Sequence, residues 1–502
     1  MTRSFPSLLL PAVLFMVFFV GLSLVQFTVP DLPDNDGFYH IKLAWIMRNE
    51  GLKPSFHWLP LSILNPDDFY DHHFLFHAAL IPFTFGDLRL GAKWAAVIFA
   101  SLSLMTVWYL LDRQRVPLAW LWALGLLGVS GAFLYRISIT RAQSLSLAFL
   151  MIGLTLILAG NYRKLGILAF LFVWTYDGFP LLLVLAIIHL MAVALIEHRF
   201  EIRPVLWIGA GMVLGMILNP YFPDNILFTY RHLLPKLTDA TSIRVGNEWY
   251  PYDTGQLLEN SLPALVAFAC GALALGLTAA KMEVRTATSF LLAIVFGLML
   301  FQARRFVEYF PAFTLIFAAF AWAPLLKPSD DQIEGTGIRP MERGSKGYRF
   351  LLPTVVLTLV VAASLLQSIP VAQERMHASK PYDLYQAASA WLEENSAAGE
   401  RVFQTDWDDF PRLFFYNSHN TYLVGLDPTY LQMYDEDLYE LWVDITRGRV
   451  KHQSSFIAGR FSARYVHSDL DHEDFLQRAA QDPGLREVYR DDQAVIFEVI
   501  RE

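Results

Sequence analysis

The sequence predicts an α-helical membrane domain of about eleven spans, followed by a small α/β domain outside the membrane. Hydrophobic residues make up 55% of the 502 residues, above the roughly 45–50% apolar content of soluble proteins. They gather in runs near 20 residues long, the length at which a helix crosses a bilayer. Charge divides the chain as well. The segment from Val371 onward carries 24 acids and 13 bases, whereas the remainder has a net charge of +3.

The predicted spans share an apolar composition and a length close to that of a bilayer-crossing helix. They lie near residues 6–28, 92–111, 117–134, 143–160, 165–180, 181–196, 204–219, 261–280, 286–303, 306–326 and 351–369. The first run is too long for the apolar core of a typical signal peptide, so we expect an uncleaved first span.

The basic residues predict the orientation. If the N-terminus is cytoplasmic, every second loop faces the cytoplasm, where Lys and Arg accumulate. Those loops contain Arg113, Arg115, Arg163, Lys164, Arg199, Arg203, Lys281, Arg285, Lys327, Arg339, Arg343, Lys346 and Arg349. Residues 29–91, 220–260 and all residues after about 370 then lie outside. With no eukaryotic-type targeting text, we expect a bacterial inner membrane with a periplasmic C-terminal domain.

We therefore predict a membrane domain over residues 1–370 and an extracytoplasmic α/β domain over residues 371–502. The second segment alternates helix-like text ("YDLYQAASAWLEENSA") with strand-like text ("NTYLVGL", "QAVIFEVI"). Its acidic balance argues against nucleic acid as a partner. Cys270 is the single cysteine, which excludes an internal disulfide and a thiolate metal site.

The first outer segment begins with "DNDGFYHIKLA", in which Asp34 and Asp36 follow Asp31 directly after the first span. A lone acid here is readily explained as a solvated charge at the membrane interface. Three acids ahead of an amphipathic helix instead indicate a site at headgroup level. The apolar face of that helix, which we expect to lie in the interface plane, comprises Phe38, Ile41, Trp45 and Ile46.

Histidines cluster further along the same segment, in "DDFYDHHFLFH". On a helix, Asp71, His73 and His77 would share one face, with His72 beside them. Carboxylate and imidazole together suit a divalent metal or a substrate phosphate. The alternative is that these histidines are hydrogen-bonding residues at the interface.

Two further acids lie among aromatic residues on the outer side. Glu248 precedes Trp249 in "GNEWYP" and by itself would be an ordinary loop acid. Asp177 lies beside Trp174 and Tyr176 at the outer end of a predicted span. An acid framed by aromatic rings suits a sugar, although the same pattern occurs where an aromatic belt ends a span.

Arg304 and Arg305, in "QARRFVEYF", lie between two spans on the outer side, against the positive-inside bias. A charge near a bilayer needs a partner and a purpose. An arginine pair suits a pyrophosphate through bidentate hydrogen bonds. Glu308, one turn away, supplies the alternative, an internal salt bridge.

Four of these motifs resemble, in order, the motifs of the oligosaccharyltransferase catalytic subunits, which are membrane glycosyltransferases of the GT-C type. "NDGFYHIKLA" is similar to the family's first outer loop, "EWYP" to its loop glutamate, "ARRF" to its phosphate-binding arginine, and "TDWDDF" to its "WWDYG" signature. Each motif is short, and the specific feature is their order and their side of the membrane.

The resemblance implies a GT-C membrane fold and sugar transfer from a polyprenyl-linked donor to an unidentified acceptor. It implies that Asp36 is the catalytic acid and a ligand of Mg²⁺ or Mn²⁺, and that Glu248 assists. Arg305, with Arg304 beside it, would bind the donor phosphates. The remaining expected residues are the metal ligands Asp71, His72 and His73, and the acceptor or sugar contacts Tyr39, Asp177, Trp407 and Asp408.

The sequence departs from that family at two motifs. The second outer loop, "LYRISITRAQSLSL", holds Arg136 and Arg141 but no acid, so the metal site differs, is replaced by the histidine cluster, or is absent. In the signature segment Asp406, Asp409 and Phe410 do not match. We therefore expect a relative with an acceptor other than the usual sequon.

Two other classes of protein remain open. A flippase or transporter of a lipid-linked glycan would use the same charges for binding alone, and internal repeats would favour it. A non-catalytic assembly protein of an envelope polysaccharide would tolerate replacement of Asp36 and Glu248.

Overall fold

The computed structural model describes residues 6–238, 246–326 and 346–500. The chain divides into two compact units. The helical unit comprises Met1–Val29, Ala95–Gly215 and Asn247–Ala378, and the mixed unit comprises Pro30–Trp94, Met216–Gly246 and Ser379–Glu502. The boundary predicted at residue 370 falls inside a helix that continues to His377, and the mixed unit also takes in two earlier segments.

Fifteen helices precede the first strand within the described residues. They are α1 (Pro6–Gln26), α2 (Asn35–Glu50), α3 (Phe74–Leu80), α4 (Leu88–Arg113), α5 (Ala119–Leu124), α6 (Gly131–Ser138), α7 (Gln143–Leu158), α8 (Tyr162–Thr175), α9 (Pro180–Glu197), α10 (Arg203–Ile217), α11 (Asp224–Thr238), α12 (Thr254–Leu277), α13 (Val284–Gln302), α14 (Phe310–Leu326) and α15 (Lys346–His377). Short 3-10 helices occupy Ile81–Thr84, Gly125–Leu127, Asn247–Trp249 and Arg304–Glu308.

The apolar runs form membrane-type helices, as predicted. Across the described residues, six segments are long and apolar enough to cross a membrane, namely Leu9–Gln26, Leu88–Arg113, Pro180–Glu197, Thr254–Leu277, Val284–Gln302 and Leu352–His377. A bent pair, Ala119–Leu127 with Gly131–Ser138, makes a seventh if it counts as one span. Shorter apolar helices are Phe74–Thr84, Gln143–Leu158, Arg203–Ile217 and Phe310–Leu326. The chain is an integral membrane protein, and the predicted class is confirmed.

Part of the orientation argument falls outside the described residues. Lys327, Arg339 and Arg343, which belong to the basic loop before the last predicted span, lie in the segment 327–345. The inside and outside assignment therefore stays a prediction.

The span predicted over residues 117–134 is not one straight helix. Its two halves meet at an angle of 83°, because the chain leaves the helical conformation between Gly128 and Ser130. Ser130 caps α6 by accepting a hydrogen bond from the backbone N–H of Phe133 at 3.0 Å. A Cβ atom at Gly128 would lie 2.8 Å from Cβ of Ser364 on α15. The bend sets the direction of α6, which carries Arg136.

The mixed unit contains the predicted α/β structure. Its later elements are α16 (Gln386–Asn395), β1 (Arg401–Gln404), a 3-10 helix (Trp407–Asp409), α17 (Phe410–Tyr416), β2 (Thr421–Tyr422), α18 (Thr429–Tyr434), α19 (Glu436–Thr446), α20 (Gln453–Gly459), β3 (Tyr465–Asp469), α21 (Glu473–Ala479), β4 (Leu485–Arg490) and β5 (Ala494–Val499). The small C-terminal sheet domain is thus confirmed.

The five strands form one sheet in the order β2-β1-β3-β5-β4. β1 runs parallel to both β2 and β3, and it pairs Val402 with Tyr465 and Gln404 with His467. β5 runs antiparallel to β3 and β4. The core of this sheet is apolar and fully enclosed, and it includes Phe403, Leu431, Trp442, Ile457, Val466 and Phe497.

Helix α2 does not lie in a membrane interface, and that expectation was wrong. Phe38 and Ile41 have no exposed surface, and Ile46 is buried too. The Phe38 ring stacks on Tyr382 at 5.4 Å between centroids and meets the edge of Phe415 at 5.2 Å. An amphipathic pattern predicts that a face is buried but not what buries it, and here α3 and α17 do so.

Candidate active site

The first acidic motif lies at the start of α2 in the mixed unit. Asp34 occupies the N-cap position, and Asp36 lies in the first turn. The N-terminal end of a helix favours negative charge, because its backbone N–H groups are unpaired and its dipole is positive there. Asp31 is fixed by a hydrogen bond that its carboxylate accepts from the backbone N–H of Tyr382 at 2.8 Å.

Asn35 joins this motif to the signature-like segment of the same unit. Its amide nitrogen donates to the Oδ2 atom of Asp408 at 2.7 Å and to the backbone carbonyl of Asp408 at 3.2 Å. Its amide oxygen accepts from Nε of Arg412 at 2.8 Å. Two motifs more than 370 residues apart in sequence thus meet next to Asp36, and Asp408 touches the residue that precedes the expected catalytic acid.

The surroundings of Asp408 disfavour its charge. Burial, together with the neighbouring carboxylate of Asp406, raises the pKa of Asp408 to about 6. Arg412 is 2% exposed and places its guanidinium 4.3 Å from the centre of the Phe38 ring. Trp407 lies in the same 3-10 helix and is half-buried against the core of the sheet.

The histidine cluster forms a buried chain of hydrogen bonds. Nδ1 of His77 contacts both carboxylate oxygens of Asp71, at 2.9 and 2.8 Å. Its Nε2 atom lies 2.7 Å from Nδ1 of His40, which is on α2 one turn after Asp36. All three side chains are at most 5% exposed. The arrangement is an Asp-His-His relay that ends on the helix of the expected catalytic acid.

The expected helical face of this cluster was wrong. Helix α3 begins at Phe74, so Asp71 and His73 precede it. Asp71 reaches His77 by a turn, in which Oδ1 of Asp71 also accepts from the backbone N–H of His73 at 3.0 Å. His72 points elsewhere, with its ring stacked on Phe228 at 5.1 Å.

Tyr39 does not suit the expected sugar contact. Its side chain is 4% exposed, and its ring lies among aromatic residues, 5.8 Å from Phe414 and 5.7 Å from His77 between centroids. The sequence presented it beside Asp36, but consecutive helical residues face different directions, and Tyr39 faces the interior.

A second constellation lies in the helical unit and centres on Glu248. Nη2 of Arg136 donates to Oε2 of Glu248 at 2.8 Å, and Nη1 of Arg141 donates to the same oxygen at 3.3 Å. Nη1 of Arg305 lies 3.7 Å from Oε1. The three arginines come from α6, from the turn after α6 and from the 3-10 helix Arg304–Glu308. We call these four residues with Glu308 the arginine cluster.

Glu308 pairs with Arg136, whose Nε donates to Oε1 of Glu308 at 2.7 Å. The sequence had suggested Arg304 or Arg305 as its partner, but residues in a 3-10 helix project in different directions and the side chain turns towards α6. Arg304 instead donates to the backbone carbonyl of Pro251 at 3.1 Å from an exposed position.

The electrostatics of the cluster are unequal. Burial opposes charge on Glu248, but Arg136, Arg305 and Arg141 hold the pKa of its carboxyl well below the usual range. For Glu308, burial outweighs the arginines and raises the pKa of the carboxyl. Three guanidinium groups therefore face one firmly ionised carboxylate and a second whose charge is disfavoured. The net charge is positive, which suits an anion.

Arg305 is held from two more directions. Its Nη2 atom donates to the hydroxyl of Tyr176 at 2.8 Å, and its guanidinium lies 4.0 Å from the centre of the Trp249 ring. Tyr176 belongs to the break between α8 and α9 that also carries Asp177. The carboxylate of Asp177 acts electrostatically on Arg305, so this acid belongs to the surroundings of the cluster.

The expected metal ligands do not assemble into one donor set. Both oxygens of Asp71 are engaged by His77, and Glu248 is surrounded by arginines. Among the described residues, the group of three potential ligands that lie close together is Asp406, Asp409 and Asp469. The first-loop set therefore does not fit a divalent cation in this conformation, and no catalytic step is derived through one.

Sequence reasoning missed Arg136, Arg141 and His40 as parts of these constellations. The signal for the arginines was present, because both lie in a predicted outer loop and violate the positive-inside bias as Arg304 and Arg305 do. His40 carried no such signal, since its partner is 37 positions away.

Comparison with solved structures identifies the fold. The oligosaccharyltransferase of Archaeoglobus fulgidus in its apo form is similar over 94% of this chain and 71% of its own, with a TM-score of 0.64 and 15% identity. ArnT from Cupriavidus metallidurans, bound to undecaprenyl phosphate, is similar over 99% of this chain and 98% of its own, with a TM-score of 0.56 and 15% identity. The arabinofuranosyltransferase AftD from Mycobacteria is similar over 98% of this chain and 40% of its own, with a TM-score of 0.54 and 14% identity.

These three neighbours are GT-C glycosyltransferases. The chain has the GT-C fold. The sequence itself matches no protein-family profile and no curated protein. The expected fold is therefore confirmed, and the identities, all near 15%, leave the activity to be argued from the residues.

Proposed function

We propose that this protein is a membrane glycosyltransferase that moves a sugar or oligosaccharide from a polyprenyl-phosphate or polyprenyl-pyrophosphate donor to an acceptor outside the membrane. The observation that carries the proposal is the convergence of Arg136, Arg141 and Arg305 on one carboxylate, within 2.8–3.7 Å. Arginines from three separate segments, held together with excess positive charge, are suited to a phosphate group.

The donor class has support from two neighbours. The Cupriavidus protein was solved with undecaprenyl phosphate, and the Archaeoglobus enzyme with dolichol-phosphate and an inhibitory peptide. Both ligands join an anionic phosphate to a long isoprenoid chain. In this protein Arg305 would contact the donor phosphates, with Arg136 and Arg141 beside it and Arg304 at the exposed edge.

Glu248 would act mainly on the arginines and not on a metal. A carboxylate amid three guanidinium groups offsets their mutual repulsion and orients them before the donor phosphate arrives. We therefore give Glu248 a positioning role in donor binding, which replaces the metal-binding role that the resemblance implied.

Asp36 would be the catalytic base. A carboxylate that accepts the proton of the acceptor nucleophile allows that nucleophile to attack the anomeric carbon. The bond from the anomeric carbon to the phosphate oxygen breaks, and the bonding electrons leave with the lipid phosphate, where the arginines would stabilise the charge. Asn35, Asp408 and the relay through His40 would hold Asp36 in place.

The acceptor would meet the mixed unit, where Asp408 and Trp407 follow the first strand. Asp408 accepts hydrogen bonds from Asn35, so its contact with an acceptor would be coupled to the position of the first loop. The neighbours do not identify the acceptor for this chain, and protein, glycan and lipid all remain within the proposal. A bacterial inner membrane with the mixed unit in the periplasm remains part of it.

The proposal separates binding from chemistry, and two variants test that separation. In detergent, Asp36→Asn should bind a polyprenyl-linked sugar as the wild type does, but transfer it about 10²–10⁴-fold more slowly. Arg305→Ala should lose donor binding itself.

The matched controls are Asp67→Asn, an exposed acid of the same outer segment, and Arg113→Ala, an exposed arginine at the end of α4. Both should behave as the wild type. Donor binding without transfer by the wild type, or transfer that survives in Asp36→Asn, would favour a flippase or an assembly protein instead.

A further inference from the structure

The mixed unit contains a second cluster of acids, away from the first loop, at the end of two parallel strands. β1 ends at Gln404, and Asp406 and Asp409 follow within five residues. β3 ends at Asp469 itself. Because β1 and β3 run parallel and pair Gln404 with His467, these three carboxylates are brought to the same edge of the sheet.

The topology makes this edge a natural binding position. From β1 the chain continues to β2 on one side, whereas β3 adds on the opposite side of β1. In open α/β sheets, ligands bind outside the carboxyl ends of strands, at the point where the strand order reverses. Asp406 and Asp469 flank that point.

The spacing of the three carboxylates matches the size of a coordination shell. One oxygen from each of Asp406, Asp409 and Asp469 lies within 4.8 Å of the others. Ligands at about 2.0–2.6 Å from a cation stand roughly 3–5 Å apart. A single hard cation can therefore contact all three with little movement.

A buried histidine supplies an independent indication of a missing partner. His467 has no exposed surface, and neither of its ring nitrogens has a hydrogen-bond partner among the described residues. Its Nδ1 atom lies 4.0 Å from Oδ2 of Asp409. That oxygen is also unpartnered, on a side chain that is 2% exposed. Unpaired polar atoms this deep are rare and costly, which points to a ligand between them.

We propose that Asp406, Asp409, Asp469 and His467 form a divalent-cation site, distinct from the first-loop acids. Three carboxylates select hard cations such as Mg²⁺, Mn²⁺ and Ca²⁺, and an added imidazole favours Mn²⁺ among them. The cation offsets the crowding of the carboxylates. In the ion-free chain that crowding shows as a raised pKa of Asp409, caused by burial and by the neighbouring Asp406 and Asp469.

The site has a structural consequence for the signature-like segment. Oδ1 of Asp406 accepts from the backbone N–H of Asp408 at 3.0 Å, and Asp408 holds Asn35. A cation on Asp406 and Asp409 would fix the 3-10 helix between them from both ends. Oδ1 of Asp469 is already oriented by Nδ1 of His472 at 2.6 Å, as second-layer partners orient metal ligands.

The test is Mn²⁺ binding to the full chain in detergent, followed by electron paramagnetic resonance and by thermal unfolding. The wild type should bind one Mn²⁺ saturably in this site and unfold at a higher temperature with it. Asp409→Asn and Asp406→Asn should each weaken binding about tenfold or more. Asp406 is half-exposed, so its variant keeps the test valid if the buried one fails to fold.

Two controls locate the ion. Asp444→Asn removes an exposed carboxylate of α19 that pairs with Arg449, and it should leave binding unchanged. Asp36→Asn should also retain the ion, whatever its effect on transfer. Absence of saturable binding up to about 10 mM Mn²⁺, binding that persists in Asp406→Asn and in Asp409→Asn, or binding lost in Asp36→Asn alone would overturn the proposal.

Discussion

Replacing Glu248 by Gln should destabilise the protein through its arginines more than through the lost carboxylate itself. The substitution keeps the shape but removes the charge that Arg136, Arg141 and Arg305 share at 2.8, 3.3 and 3.7 Å. Breaking a fully buried ion pair costs about 3–5 kcal/mol. The Glu248 side chain is 25% exposed, and solvent screens part of the interaction, so we expect a loss of about 2 kcal/mol.

The pH dependence of that loss follows from the depressed pKa of Glu248. In the unfolded chain the carboxyl titrates near its usual value of about 4.5, whereas in the folded chain it stays ionised to lower pH. The stabilisation is therefore complete above pH 4.5 and declines as the pH falls towards the folded value. The difference between wild type and Glu248→Gln should be constant from pH 8 to pH 5 and then shrink.

The assay is reversible unfolding in detergent at a series of pH values, followed by tryptophan fluorescence, since Trp249 stacks on Arg305. Glu283→Gln is the control, because Glu283 is 54% exposed and pairs with a single arginine. A difference for Glu248→Gln that grows below pH 4.5, or one no larger than for Glu283→Gln, would refute the reasoning.

Three further predictions concern the relay, the link and the donor site. Asp71→Asn should lower the unfolding free energy by about 1.5–3 kcal/mol, because buried His77 loses a charged hydrogen-bond partner; an unchanged denaturation midpoint would contradict this. Asp408→Ala should lower kcat more than it raises KM, since Asn35 is released beside Asp36, and Asp408→Asn should restore part of the rate; equal changes in kcat and KM in both variants would argue against a positioning role. Arg305→Lys should weaken donor binding roughly 10–30-fold, because it loses the bond to Tyr176 and the stacking on Trp249; unchanged affinity for the polyprenyl phosphate would contradict it.

The membrane fold was predictable because its signal is local. A run of about 20 apolar residues fixes a span whatever it packs against, so the spans and the sheet domain follow from the text. The break in the span near residue 130 carried a local signal as well, since "GVSG" is a turn-like sequence. The apolar residues on both sides concealed it.

The constellations were only partly predictable, because they depend on contacts between distant segments. The unusual location of Arg304 and Arg305 indicated a charged site, but their partner Glu308 turned out to bond to Arg136, 172 positions away. Asp406 and Asp409 looked like departures from a motif. Their relation to Asp469 and His467 appears only when a four-residue strand pairs in parallel with another 60 residues later.

The most direct test of the central claim is product formation by the purified wild-type chain. A polyprenyl-linked sugar is supplied in detergent with membrane extract as the source of acceptor, and both products are measured by mass spectrometry. The account predicts release of the lipid phosphate together with an equal amount of newly linked sugar, and loss of both in Asp36→Asn. Intact donor after full occupancy of the binding site, with no linked sugar, would contradict it.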